Sequence, residues 1–146
     1  MMGEMFRHHA HSRELSRRVA QLPSSHTVRK AAGHWLVLGP TGLVVVGRCA
    51  DEDVATAAER CAGVAHELRD LLAGVTPWVP FVDAIVVADG EHHDLGCTVV
   101  QLDLLVTALT VGPVTLDDDE LLRLDRGLRS VIGTLSTRRP RPLDPA

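Results

Sequence analysis

Two histidine clusters contain the residue types that most often bind metals or transfer protons. The first lies near the N-terminus, and the second is flanked by Glu91 and Asp94 in a segment rich in turn residues. Imidazole and carboxylate groups suit divalent transition metals, and histidine exchanges a proton near neutral pH. The histidines are His8, His9 and His11 in the first cluster and His92 and His93 in the second.

Residue spacing argues against a metal site at either histidine cluster. No cysteine or acid is placed to complete a closed tetrahedral site with the first cluster. In the second cluster, His92 and His93 are adjacent, so their side chains diverge and rarely reach one metal. We therefore interpret the first cluster as a solvated tail and the second as an exposed turn, and we predict no resident metal or cofactor.

The three cysteines, Cys49, Cys61 and Cys97, are odd in number and widely spaced. This pattern fits neither a zinc knuckle nor a disulfide framework, and it predicts reduced thiols in a cytoplasmic protein. Cys61 falls on the apolar stripe of a helix and should be a core residue. Cys49 follows Arg48, which could lower its pKa, but no base partner is identifiable and we interpret it as an inert thiol.

The acidic run Asp117–Glu120 could be mistaken for a metal cluster. It stands where a helix should begin, and acids there complement the helix dipole. Thr115 and Asp118 have the spacing of a capping box. The aromatic residues Trp35 and Trp78 are interpreted as packing residues rather than as a base-stacking platform.

The composition predicts one globular domain that does not cross a membrane. The chain has 146 residues, of which 45% are hydrophobic and 23% charged, with a net charge of −4. An acidic balance gives no support to a general nucleic-acid-binding surface, although it allows a local basic patch. The N-terminus lacks an apolar signal segment, and no apolar run approaches the roughly 18 residues that a span needs. We expect a cytoplasmic protein.

Hydrophobic periodicity predicts helices alternating with short, apolar strands. A hairpin of two strands is expected about the turn Gly39–Gly42, because proline presets φ and glycine allows a positive φ. The clearest helix should begin at an N-cap, Asp51. The expected helices are 12–22, 51–74, 102–109 and 115–132, and the expected strands are 35–38, 43–46, 78–89 and 97–101. This order predicts an α/β (α+β) fold with a small mixed sheet flanked by helices.

We expect the domain to span residues 12–133. Residues 1–11 are polar, and residues 134–146 are rich in proline and arginine, so both are predicted to be disordered.

Three segments resemble the NERD (nuclease-related) domain, a branch of the PD-(D/E)xK restriction-endonuclease-like superfamily. They are "SRELSRRVAQLP" with its early acid Glu14, the hairpin "GHWLVLGPTGLVVVGRC", and "VTPWVPFVDAIVVAD" with the helices after it. The resemblance implies a restriction-endonuclease-like fold and, for an active member, Mg²⁺-dependent cleavage of nucleic acid. In such a site two carboxylates bind the metal, and a lysine stabilises the developing negative charge.

The residues that this chemistry needs are missing from the hairpin. If His34 matches the family histidine, the two acids fall on Gly33 and Gly47, and the lysine falls on Cys49. No acid occurs between Glu14 and Asp51, and the only lysine, Lys30, precedes the hairpin. The resemblance therefore implies a degenerate member, whose positions 33, 47 and 49 should lie around one cleft.

The residues left over from such a site would be Glu14, His34 and Arg48. We predict a non-catalytic binding or interaction module, with nucleic acid or another protein as its partner. Two alternatives stay open. One is a metal-dependent nuclease with a relocated site built from Glu14, Asp51 or Asp83; the other is a small partner-binding or oligomerising protein unrelated to nucleic acid.

Overall fold

The structure is a computed structural model that describes residues 13–49, 52–90, 92 and 95–137. In chain order its elements are α1 (13–20), β1 (Thr27–Ala31), β2 (His34–Gly39), β3 (Gly42–Arg48), α2 (Val54–Ala73), β4 (Val82–Val87), β5 (Thr98–Val100), a 3₁₀ turn (Leu102–Leu104), α3 (Leu105–Thr110) and α4 (Asp118–Thr137). In these ranges, no helix combines the length and apolarity needed to cross a membrane.

The strands form one five-stranded mixed sheet in the order β1-β2-β3-β4-β5. The first three strands are antiparallel neighbours, whereas β4 runs parallel to β3 and β5 runs parallel to β4. A parallel neighbour needs a crossover connection, and α2 supplies the crossover from β3 to β4. The predicted class, an α/β (α+β) fold with a small mixed sheet flanked by helices, is confirmed.

Helices cover both faces of the sheet, so the central strands are buried on both sides. Every residue of β2 is buried, and its side chains alternate between two apolar clusters. Leu36 and Leu38 pack with α2 and α4 on what we call the α2 face. Trp35 and Val37 pack with α1 and α3 on the opposite α1 face. These two faces determine which of the candidate residues can act together.

The sequence analysis missed β1. Its five residues pair with β2 from Thr27↔Leu38 to Ala31↔His34, but the strand includes Arg29 and Lys30 and lacks an apolar run. At this edge Arg29 donates to Asp125 of α4 at 2.9 Å, and the Lys30 Nζ lies 4.9 Å from the centre of the Trp35 ring. Polar side chains are therefore accommodated by partners that only the tertiary structure brings near.

Both helix caps lie two residues further along the chain than the sequence predicted. The N-cap of α2 is Asp53, whose carboxylate accepts from the Thr56 N–H at 2.7 Å, whereas Asp51 lies outside the described residues. The capping box of α4 joins Asp117 and Glu120, not Thr115 and Asp118. Asp117 accepts from the Glu120 N–H at 2.8 Å, and Glu120 accepts from the Asp117 N–H at 3.1 Å.

The last helix also runs beyond the predicted domain boundary. We expected a disordered tail from residue 134, but α4 continues to Thr137. The reason is Leu135, which is buried in the cluster on the α2 face. Residues 1–12 and 138–146 lie outside the described part of the chain, as do the disorder predictions made for them.

Candidate functional site

Gly47 is the position expected to hold the second acid. The space that a side chain would need there is occupied by neighbouring side chains. Gly47 is buried on the α2 face, and a Cβ added there would lie 2.9 Å from His34 Cδ2 and 3.3 Å from Cys61 Sγ. The imidazole is fixed in place, because its Nδ1–H donates to the Ala32 carbonyl at 2.7 Å. A carboxylate at position 47 would have to displace a buried ring and a buried thiol.

The position expected to hold the first acid, Gly33, lies in a different environment. Ala32 and Gly33 form the two-residue turn between β1 and β2, with φ values of 53° and 73°. Two successive positive φ angles are typical of a type I′ hairpin turn. A Cβ added at Gly33 would meet no atom within 4 Å. Gly33 is exposed and Gly47 is buried, so the two positions differ in environment, although Gly33 directly precedes His34, whose ring lies against Gly47.

The position expected to hold the lysine, Cys49, follows β3 on the α2 face. Its thiol donates to the Glu52 carbonyl at 2.9 Å. Burial and the nearby carboxylates of Glu52 and Asp53 raise the pKa of Cys49. The carboxylate of Glu52 is also paired with Arg60. A thiol held in its neutral form is a poor nucleophile, which agrees with the interpretation of Cys49 as inert.

The buried imidazole and thiol beside Gly47 are also held neutral. Burial lowers the pKa of His34, the largest influence on that group. Burial raises the pKa of Cys61 to about 12, and its thiol lies 3.3 Å from the Val45 carbonyl that accepts from it. Cys61 is a core residue, as predicted, and all three cysteines are unpaired. These groups form a neutral packed layer between β2, β3 and α2.

The leftover residues Glu14, His34 and Arg48 are not assembled into one site. His34 lies on the α2 face, whereas the alternation of β3 directs Arg48 toward the α1 face. Glu14 belongs to α1, where its carboxylate pairs with Arg17 and Arg18 at 3.3 Å. The sheet therefore separates His34 from the other two residues.

The acids proposed for a relocated site are also dispersed. Asp83 follows the buried Val82 on β4 and points toward the α1 face, where burial raises its pKa. In the sheet register Asp83 pairs with Val44, whereas Arg48 pairs with Val87. Four residues of strand separate these positions by about 13 Å. Asp51 lies outside the described residues.

Of the two histidine clusters, only His92 is described. Its Nε2–H donates to the Asp89 carbonyl at 2.8 Å. His8, His9, His11, His93, Glu91 and Asp94 lie outside the described residues. Within the described ranges, no group of three or more His, Cys, Asp or Glu side chains is placed to hold a metal ion.

The other chemistry-bearing motifs have local structural roles. The acidic run at 117–120 provides the capping box and first turn of α4. Trp35 is buried under Lys30, as a packing residue should be, whereas Trp78 is 46% exposed in the loop before β4.

Sequence analysis missed a cleft between α2 and the β4–β5 edge of the sheet. The cleft has a volume of about 520 Å³, which is within the usual range for small-molecule sites. Its described lining residues are Ala62, Ala65, His66 and Arg69 from α2, Phe81 to Ala84 from β4 and the segment before it, and Leu95 to Thr98. No motif in the sequence marks this cleft, which lies where α2 carries Ala62 and Ala65.

Neither the protein-family models, the curated proteins nor the solved structures contain a significant match to this chain.

Proposed function

We propose that this chain is a catalytically degenerate, NERD-like domain that acts as a non-catalytic binding module. The proposal includes the cytoplasmic location predicted from the reduced cysteines, and it leaves open whether the partner is a nucleic acid or another protein.

Support at the level of the fold comes from the order of elements. A helix precedes three antiparallel strands, and a second helix then crosses to a strand parallel to the third. The resemblance implies a restriction-endonuclease-like fold, and this arrangement is compatible with a sheet whose hairpin carries the catalytic groups. Fold alone does not carry function, so the proposal depends on the site.

The packing around Gly47 is the observation that carries the proposal. A metal-binding carboxylate at this position would begin with a Cβ only 2.9 Å from His34 Cδ2. His34 is 3% exposed and hydrogen-bonded to the Ala32 carbonyl, so it is held against that movement. The hairpin is therefore built around a small residue where Mg²⁺-dependent hydrolysis would need an anionic ligand.

A cleavage assay tests the proposal directly. The purified chain is incubated with plasmid DNA and with single-stranded RNA in Mg²⁺ or Mn²⁺, alongside the variants Glu14→Gln, Asp51→Asn and Asp83→Asn. We expect no metal-dependent cleavage above the level of a control without protein. Cleavage that copurifies with the chain and is lost in any of the three variants would establish the relocated nuclease instead.

A salt titration separates the two kinds of partner. The anisotropy of labelled duplex and single-stranded DNA is followed as the chain is added at increasing salt concentrations. Binding that weakens steeply with salt supports residual contact with the phosphate backbone, because phosphate contacts release counterions. Absence of DNA binding at low salt would favour the protein partner over the nucleic acid.

A further inference from the structure

The cleft exists because α2 extends past a very short edge strand. α2 has 20 residues and β5 has three, which correspond to lengths of about 30 Å and 10 Å. Along the uncovered flank the facing side chains are small, among them Ala62 and Ala65 on α2 and Ala84 on β4. The sheet and helix therefore leave open space where larger side chains would otherwise meet.

The cleft is lined by both polar and apolar side chains. Ala84 and Leu95 contribute apolar surface opposite the helix, and Phe81 stands at the rim with 69% of its surface exposed. Asp83, the one acid among the described lining residues, directs its carboxylate toward the α1 face by strand alternation. The cleft thus offers apolar contacts at Phe81, Ala84 and Leu95, beside polar surface of about the same extent.

The charge at the rim comes from the helix. Arg69 is exposed, and its guanidinium has no ion-pair partner among the described residues. The nearby His66 is already engaged by Asp70 at 3.5 Å. One available guanidinium in the same cleft as an exposed phenyl ring matches one planar carboxylate on an apolar group, because the fork of an arginine pairs with both carboxylate oxygens.

We propose that this cleft binds an aromatic or branched apolar group that carries a carboxylate. Arg69 pairs with the carboxylate, Phe81 contacts the apolar group, and the alanines of α2 admit it. This inference assigns a class of ligand to the proposed binding module. It rests on the proposed function only in treating the ligand as bound and not chemically changed. The same chemistry is found in a free small acid and in the C-terminal residue of a peptide.

The test uses 2-naphthoate as the free acid and its neutral amide, 2-naphthamide, as the matched control. Binding is followed by amide chemical shifts in the full chain. We expect shifts at Ala62–Arg69 and at residues 95–98, and an affinity for the acid about fivefold above that for the amide. A short peptide ending in phenylalanine, with a free or amidated C-terminus, is titrated in parallel. Tighter binding of the free acid identifies a small molecule as the source, and tighter binding of the free peptide identifies a C-terminus.

Two variants locate the binding. Arg69→Gln should reduce the affinity for 2-naphthoate about fivefold and leave that for the amide unchanged. Arg123→Gln is the matched control, since Arg123 is exposed on α4 and lies outside the cleft lining. Ala62→Leu narrows the cleft and should weaken both ligands, with the thermal unfolding curve showing that the variant is folded.

Several outcomes would overturn the inference: equal affinities for acid and amide, equal effects of the two arginine variants, shifts confined to other surfaces, or no binding of any carboxylate. Because these experiments contain neither nucleic acid nor metal, their failure is independent of the cleavage assay. A positive cleavage result would remove the proposed function and leave the ligand result standing.

Discussion

At the scale of single residues, Gly47 and Gly63 form a natural pair for testing the packed hairpin. A Cβ at Gly47 meets His34 and Cys61, whereas a Cβ at Gly63, midway along α2, meets nothing within 4 Å. The same added methyl group should therefore have opposite effects on stability at the two positions.

We predict that Gly47→Ala lowers the free energy of unfolding by about 1–3 kcal/mol, the usual effect of overpacking a core. Gly63→Ala should raise it by about 0.5–1 kcal/mol, because alanine is the better helix former. Urea unfolding monitored by circular dichroism measures both. If Gly47→Ala left the free energy of unfolding unchanged, His34 would have to move aside freely. The main support for the non-catalytic proposal would then be lost.

His34 also predicts a pH dependence of stability. Burial lowers its pKa below the ordinary value of 6.5, so below that pH the unfolded chain binds a proton more readily than the folded one. The free energy of unfolding therefore decreases as the pH falls through this range, because protonation of His34 favours the unfolded chain. We expect the stability difference between wild type and His34→Gln to decline below pH 6.5. Parallel stability curves over the same range would show that His34 takes up a proton freely in the folded state.

At the scale of elements, the β1–β2 turn contains backbone strain that could not be predicted from the sequence. Ala32 adopts a φ of 53°, the only positive φ among the described residues other than glycine. A left-handed alanine costs about 1–2 kcal/mol, and Asn-Gly is the preferred pair for this turn type. Ala32→Asn should therefore stabilise the protein by about 0.5–1 kcal/mol. Gly33→Ala, which adds a second strained residue, is the opposite control, and equal midpoints of chemical unfolding for the two variants would contradict this account.

The start of α4 predicts a second effect on an element. Asp117 accepts from the Glu120 N–H, so Asp117→Ala should cost about 1 kcal/mol of stability. Asp119→Ala removes an acid from the same first turn without removing the cap, and it should cost only about 0.3 kcal/mol. Denaturant midpoints distinguish the two variants, and equal losses would show that charge rather than capping determines the effect.

Elements with long, regular hydrophobic patterns could be predicted from the sequence. Elements that depend on contacts with residues distant in the chain could not. The apolar runs of β2 and β3 and the stripe of α2 were recognised because burial alone determines their composition. β1 was missed because Arg29 depends on Asp125, which is 96 positions away in the chain. The capping box was assigned to the wrong residues because Thr115 and Asp117 each have a suitable partner three residues later in the chain. Only the backbone geometry distinguishes the two.

The candidate site was predicted less completely than the fold. The proposed resemblance assigns two acids and a lysine to positions 33, 47 and 49, and the sequence alone shows that these side chains are absent there. It could not show that His34 occupies the space beside Gly47, since that contact joins two strands and a helix. The cleft was missed for a related reason, because it arises from the unequal lengths of α2 and β5 rather than from a motif.

At the scale of the whole molecule, the two apolar clusters share the strands of one sheet and should unfold together. The adjacent residues Val45 and Val46 are both fully buried but face opposite clusters. Val45→Ala and Val46→Ala should each lower the free energy of unfolding by about 2 kcal/mol, the combined effect of lost burial and a cavity. Circular dichroism and tryptophan fluorescence should report one coincident transition for each variant. Separate transitions for the two probes would indicate that the faces unfold independently.

The edges of the sheet have a consequence for behaviour at high concentration. Exposed edge strands can pair with those of another molecule and start aggregation. β5 offers only three residues for such pairing. A two-fold pairing of two β1 strands about their centre would set Arg29 opposite Arg29, with Lys30 beside it. A short edge on one side and charged side chains along the other therefore oppose growth of the sheet from one molecule into the next.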